Sequence, residues 1–314
     1  MPLISQVRID LMLTNISLQT KNEGYLAEAV MPIIPVRLEA SKYFTFGKER
    51  FDAPPALRAE RAKYNRVEYA LTTDTYSCEE YGLELPIDDR ERQNAIEPLN
   101  VDVDSTEILT DMVLNDREQR VATVLRTAGN YTLSNTTDLA GLVTAWLPTN
   151  GSSDPISDIT ITGRERVRQN IGRYPNTLVI GATVFSNLKQ HPLIIDRIKY
   201  NGGGTVPGKV TLAALAELFE VENVHVGLPL RRTSNQGQTD VLADVWGSDA
   251  LLAYINPRPA LKQISLSYMF QSRPRQVFKY RDDTISSDVI RCSEVTDEKM
   301  VANGAGYLWK NVLG

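Results

Sequence analysis

The first forty residues hold short apolar groups, Ile9, Leu11 and Leu13, and then VMPIIPV, where Pro32 and Pro35 forbid a regular helix and favour extended backbone. This pattern predicts an arm. Tyr43 to Phe46 and Val67 to Tyr76 read as strands, separated by a Pro-Pro pair with alternating charges and few large aliphatics. Two strands enclosing a polar tip describe a long hairpin that projects from the body. Neither arm nor hairpin can bury much of its own surface, so a neighbouring subunit is the expected source of their order. Residues 81–100 read as a Pro-punctuated acidic link, after which Asp104 and Glu107 open a long helix in capping-box style. Its apolar positions run from Ile108, Leu109, Met112 and Val113 to Val121, Val124, Leu125 and Ala128, interrupted by the charged turn Asp116 to Arg120. The middle of this helix is therefore expected to face solvent or a polar partner.

From Asp158 the periodicity changes to alternating helix and strand: a helix to about Gly172, TLVIG at 177–181, and a short helix into HPLIIDRIKY. A Gly-rich loop, a helix at 211–219, NVHVG at 223–227, DVLADVW and ALLAYI complete what reads as one α/β unit. After NPRP the chain turns to long alternating strands, with Ile264, Leu266 and Tyr268 on one face, then Gln276–Tyr280, Thr284–Glu294 and a closing AGYLWKNVL. These predict a final antiparallel sheet.

The net charge of −5 over 314 residues hides a segregation of sign. Residues 48–68 carry six basic and four acidic groups, whereas residues 79–107 carry two basic and ten acidic. Arg273, Arg275, Lys279 and Arg281 fall within nine residues, and residues 282–298 then carry one basic and six acidic groups. Such blocks are either solvated surface or complementary docking faces between copies.

Catalytic chemistry finds little to work with. Cys78 and Cys292 are far apart and form no C-x-x-C pair, and His191 and His225 are the only histidines, so a metal knuckle or a histidine cluster cannot be built. Both cysteines and both histidines lie in apolar or Pro-flanked contexts that point to structural roles. No stretch approaches the ~18 apolar residues of a membrane span, and Arg8 and Asp10 interrupt the N-terminal region where a secretory apolar core should run. The segment from Gly203 to Gly208 and Lys209 fits a phosphate-binding G-x-x-x-x-G-K as far as its last position, but Val210 stands where a hydroxyl must hold Mg²⁺. Pro207 removes a backbone donor from the cradle, and the loop follows a helical pattern instead of a strand. The pairs Asp88/Asp89, Asp102/Asp104 and Asp282/Asp283 have no convergent partner in sequence. No catalytic, cofactor or metal residue is assigned.

The ordered set YFTFGKERF, YSCEEYGLELPIDDRERQNA, EQRVATVL, TLVIGATVFSNLKQHPLIIDRIKY, VTLAALAELFEVENVHVG and AGYLWKNV resembles the major capsid proteins of tailed bacteriophages with the Hong Kong phage-type fold. The resemblance runs end to end. It implies an α+β chain with an N-terminal arm at 1–42, an extended loop at 43–80, a peripheral domain from 81–135 and 271–314 that holds the long spine helix, and an axial domain at 136–270. It also implies self-association into pentamers and hexamers of an icosahedral shell around double-stranded DNA, which is held without sequence preference, and no enzymatic turnover. A portal and a decoration protein are further partners implied, and, with no helical scaffolding segment before Met1, either a separate scaffolding protein or an already processed form; no membrane and no cofactor are implied. In this family the loop lies over a neighbour's spine helix, so Lys48, Arg50, Arg58, Arg61 and Lys63 on one side, and Asp116, Arg117, Glu118 and Arg120 on the other, are the inter-subunit candidates. The virion, with the host cytoplasm during assembly, is the expected location. A nanocompartment shell of the same fold is the nearer rival and a nucleotide-using α/β enzyme at Lys209 the more distant one.

Overall fold

The computed structural model describes residues 22, 24–46, 48, 51–68, 71–94, 101–201, 210–235, 237–259 and 263–314. From the N-terminal side, α1 (Ala27–Val30) and β1 (Ile33–Pro35) lead into the hairpin of β2 (Ala40–Phe46) and β3 (Leu71–Ser77); β4 (Glu79–Asp88), α2 (Asp89–Asn94) and the long α3 (Val101–Arg126) follow. The next section holds β5 (Thr136–Asp138), α4 (Pro155–Ser157), a π-helical stretch at Asp158–Gly163, α5 (Arg164–Ile171), β6 (Thr177–Gly181), α6 (Ala182–Leu188), α7 (Pro192–Asn201) and α8 (Leu212–Leu218). The strands β7 (Asn223–Gly227), β8 (Leu230–Arg232), β9 (Leu242–Asp244) and β10 (Ala250–Ala253) precede β11 (Ser267–Asp282), β12 (Ser287–Met300) and β13 (Gly306–Lys310).

Two larger sheets organise this α+β chain. One has the order β5-β13-β10-β6-β7, the other β1-β11-β12-β4. In the five-stranded sheet the period of two divides the side chains cleanly between two cores. Leu178, Ile180, Ala250, Leu252, Tyr307 and Trp309 face a cluster built with Trp146, Val167, Leu215 and Phe219. Val179, Leu251, Ala253 and Leu308 face a second cluster that contains Val121, Ala122 and Leu125 of α3 together with Leu26, Val30 and Met31. Both faces are covered, which is why TLVIG is buried at every position. Packing there leaves no slack: a Cβ on Gly163 would stand 2.2 Å from the Trp309 ring.

Four sequence expectations are corrected. Residues 81–88 are not a link but most of β4, an edge strand whose ten residues pair with Ser287–Thr296 of β12; the edge position is what tolerates Pro86. The long helix begins at Val101, so Asp104 and Glu107 lie within its first two turns instead of capping it. The last strand, β13, sits between β5 and β10 in the five-stranded sheet, apart from β11 and β12, because its fully apolar YLW run needs cover on both faces. Finally, the end of the arm is ordered by its own chain: Val30 and Met31 are fully buried, and β1 runs parallel to β11 with Ile33 opposite Met269. The arm's residues 1–21 and the Gly203–Lys209 segment lie outside the described residues. Among those described, no helix is long and apolar enough to cross a membrane.

Candidate assembly surface

The charged turn in the middle of α3 is a buried polar knot. Glu118 is fully buried; its carboxylate accepts from the amides of Leu26 at 3.0 Å and Ala27 at 2.8 Å, and from the Trp246 indole N–H at 2.6 Å. Burial pushes its carboxyl pKa up, against the opposing pull of those three donors. Arg117, also buried, donates through Nε to Glu294 at 2.9 Å and through Nη2 to the same carboxylate, while Nη1 reaches Glu28 at 2.6 Å. Arg120 bridges Glu294 at 3.3 Å and Glu298 at 3.2 Å and lies over the Tyr81 ring, 3.4 Å from its centroid. The exposure expected for Asp116–Arg120 therefore fails for Arg117 and Glu118. A helix turn can bury an Arg and a Glu when the arm and β12 return matching donors and carboxylates. Asp116 alone of the four helix candidates stays exposed, 3.4 Å from Arg120.

A second network sits at the far end of the long-stranded sheet. Arg92 spans Asp102 at 2.9 Å and Asp288 at 2.6 Å; Lys279 meets Asp102 at 2.8 Å, and Arg281 meets Asp89 at 2.6 Å. These three cations hold the Asp288 carboxyl at about 2, the Arg92 hydrogen bond contributing most. Asp89 and Asp102 of the acidic block thus pair with Arg281 and Lys279 of the basic block inside one chain, whereas Asp104 and Glu107 of the same acidic block stay exposed.

Two of the outward-facing surfaces are the hairpin tip and one stripe of α3. Tyr43 and Tyr76 pack on Phe270, the second stacked at 4.6 Å, and Tyr43 donates to Asp74 at 2.6 Å, so the hairpin's base is fixed to the long-stranded sheet. Beyond Phe46 the hairpin leaves that sheet, and the Phe51 ring lies against Gly172 after α5. Leu57 is 92% exposed and Tyr64 76%, with the Arg58 guanidinium 4.4 Å above the Tyr64 ring. Arg61 holds a left-handed φ of 62° in a turn closed by the Ala62 amide and the Ala59 carbonyl. Lys48, Arg58, Arg61 and Lys63 are all exposed, and among the described residues no carboxylate pairs with any of them; Arg50 lies outside the described residues. On α3, Asp104, Ile108, Met112 and Asp116 follow one another at four-residue intervals, with Glu107 three beyond Asp104, and form an exposed acidic and apolar stripe.

The other singled-out residues are structural in place. His191 is buried beside Ser153 Oγ at 3.2 Å, His225 lies in β7, and both cysteines are buried with thiol pKa values raised by burial. Val210 belongs to the helix-covered core, the segment before the Gly-rich loop is α7, and the Thr211 hydroxyl accepts from the Ala214 amide as the cap of α8. Sequence reasoning missed Glu28, Glu294, Glu298 and Trp246 as partners of the helix turn. Glu294 did carry a signal: along the strand it shares a face with Ile290 and Cys292, both apolar and both in a core cluster.

No protein-family model matches the chain. It is 32% identical to the major capsid protein of Burkholderia phage BcepMu, over 99% of both chains. Among solved structures, a phage-related protein from Bordetella bronchiseptica RB50 superposes with a TM-score of 0.70 at 27% identity, covering 92% of each chain. The capsid structure of the cyanophage P-SCSP1u superposes with a TM-score of 0.65 at 10% identity, over 98% of this chain and 93% of that one, a likeness of fold alone.

Proposed function

Because the chain belongs to the major capsid proteins of tailed bacteriophages, we propose that the exposed hairpin tip of one copy docks on the α3 stripe of the next and so closes the shell. The protein is a structural component of the virion, and it works by self-assembly into an icosahedral head. The observation that carries the docking reading is the match between two surfaces whose charged groups, Asp116 with Arg120 excepted, form no ion pair among the described residues. The tip offers Arg58, Arg61 and Lys63 around Leu57 and Tyr64; the stripe offers Asp104, Glu107 and Asp116 around Ile108 and Met112. Apolar contact supplies affinity, and opposite charge sets which faces meet. In this reading residues 136–270 with β13 gather around the fivefold and sixfold axes, and the long-stranded sheet with α3 forms the periphery. Scaffold, portal and packaged double-stranded DNA are further partners, with assembly in the host cytoplasm.

The test is charge reversal at the tip. Arg61→Glu with Lys63→Glu should leave the circular dichroism and melting of the subunit unchanged, since neither side chain packs on the body, while abolishing particles. Adding Asp104→Lys and Glu107→Lys should restore them. Unchanged assembly of the first variant would remove the docking model.

A further inference from the structure

Helix α5, whose Val167 lies in the core of the five-stranded sheet, ends on Gly172. The φ of Gly172 is 72°, in the left-handed region, and its amide donates to the Arg168 carbonyl at 2.7 Å to close the helix. A glycine meets two demands here. It adopts that turn without strain, and it leaves its α-carbon open to the Phe51 ring: a Cβ at this position would stand 2.7 Å from Cε1 and 2.8 Å from Cζ of that ring. Phe51 belongs to the hairpin tip, in a turn closed by its own amide and the Lys48 carbonyl at 2.9 Å. It is 63% exposed, so the seat on Gly172 covers only the smaller part of it. The tip therefore touches a helix of its own subunit, although the base of the hairpin is fixed to the other large sheet.

We infer that Phe51 on Gly172 is a latch: it parks the hairpin tip on its own subunit before assembly, and docking on the next copy exchanges this seat for the α3 stripe. This rests on the docking reading above and adds its regulation. Charge sets the direction of the exchange. Residues 164–174 carry four arginines and one glutamate. Arg164 pairs with Glu220 and Arg168 with Glu165, which leaves Arg166 and Arg173 exposed and without a carboxylate among the described residues. The seat is thus apolar contact in a basic setting, offered to a tip that is itself basic through Lys48, Arg58, Arg61 and Lys63. The stripe of the next copy offers apolar contact at Ile108 and Met112 with charge of the opposite sign at Asp104, Glu107 and Asp116. The seat is also weak enough to be left. Covering the smaller part of one ring favours the parked tip by only about two- to fivefold, so the latch raises the concentration at which assembly starts without preventing it.

Chemical bridging tests the latch on the full-length chain. Asp52→Cys and Arg173→Cys stand beside the two latch residues at exposed positions, and the native Cys78 and Cys292 are buried. A short bismaleimide added to the free subunit should link the pair within one chain, read as a joined peptide after digestion. Phe51→Ala in this background should slow the bridging by up to about fivefold with melting unchanged. Gly172→Asn should do the same, because asparagine tolerates the left-handed turn while its Cβ displaces the ring. With its tip untouched, the Gly172→Asn chain should also form particles at a concentration lower by a similar factor. Bridged subunits should stay out of particles, and preformed particles of the cysteine pair should give no link within a chain. The latch would be overturned by no bridging in the free subunit, by bridging indifferent to both substitutions, or by an assembly threshold that Gly172→Asn leaves in place. Equal bridging before and after assembly, or normal assembly of bridged subunits, would overturn it too. Failure of the docking reading is seen separately, in normal assembly of Arg61→Glu with Lys63→Glu, which leaves Phe51 and Gly172 as they are.

Discussion

Replacing Glu118 by Gln probes the joint between the arm and α3 with little change in volume. Both carboxylate oxygens are engaged: Oε1 accepts from Leu26 and Trp246, Oε2 from Leu26 and Ala27. An amide keeps one acceptor oxygen and turns an NH₂ toward at least one of those donors. Losing charge assistance costs about 1.5–3 kcal/mol, and a buried donor left unsatisfied about 1–3 kcal/mol. Relief from burying a charge offsets part of this, so a net loss of about 3 kcal/mol is expected, roughly a hundredfold in the folded-to-unfolded ratio. Urea unfolding of the unassembled subunit followed by tryptophan fluorescence measures the total. Hydrogen exchange at Leu26 and Ala27 locates it, since those amides should lose protection before the five-stranded sheet does. A loss below about 1 kcal/mol with both amides still protected would refute the view that Glu118 anchors the arm.

Arg117→Met alone leaves Glu294 buried with only Arg120 for company and should cost about 3–5 kcal/mol in urea unfolding, whereas adding Glu294→Leu should recover most of it, because an apolar pair of similar volume avoids the desolvation of both ions. Gly163→Val forces a side chain into the Trp309 ring, and a loss of about 3 kcal/mol or more is expected, relieved by Trp309→Leu. The far end of the long-stranded sheet should be acid-labile. The folded Asp288 pKa is depressed to about 2 from 3.8, so its contribution is full above about pH 4 and disappears as pH falls through 2. Exchange at Ser287–Ile290 should therefore rise across that window ahead of exchange at β6, and Asp288→Asn should abolish the difference.

The elements most legible in the sequence were those whose local pattern and final environment agree. Leu178, Val179 and Ile180 of TLVIG are apolar in sequence and the whole strand is buried, and the alternation of Gln276–Tyr280 appears as a strand with both faces partly exposed. The hairpin was visible for the same reason, since nothing in its tip can make a core. The polar turn of α3 was misread because periodicity assigns inside and outside by side-chain type, and Arg117 and Glu118 owe their burial to Glu294, 177 residues away from Arg117, and to Trp246, 128 residues from Glu118. The charge blocks were visible as blocks, but only the register of β4 on β12 and β12 on β11 brings them face to face. Of the docking candidates, Lys48, Arg58, Arg61 and Lys63 are exposed at the tip, and Asp116 is exposed beside Asp104, Glu107, Ile108 and Met112 on α3.

The central claim is that this chain builds a closed shell from copies of itself. Negative-stain electron microscopy with analytical sedimentation, on the protein expressed alone and with the neighbouring genes, tests it most directly. The account predicts closed particles of uniform diameter, or rings of five and six subunits, under at least one of those conditions. A species that sediments as monomer or dimer under all of them would contradict it.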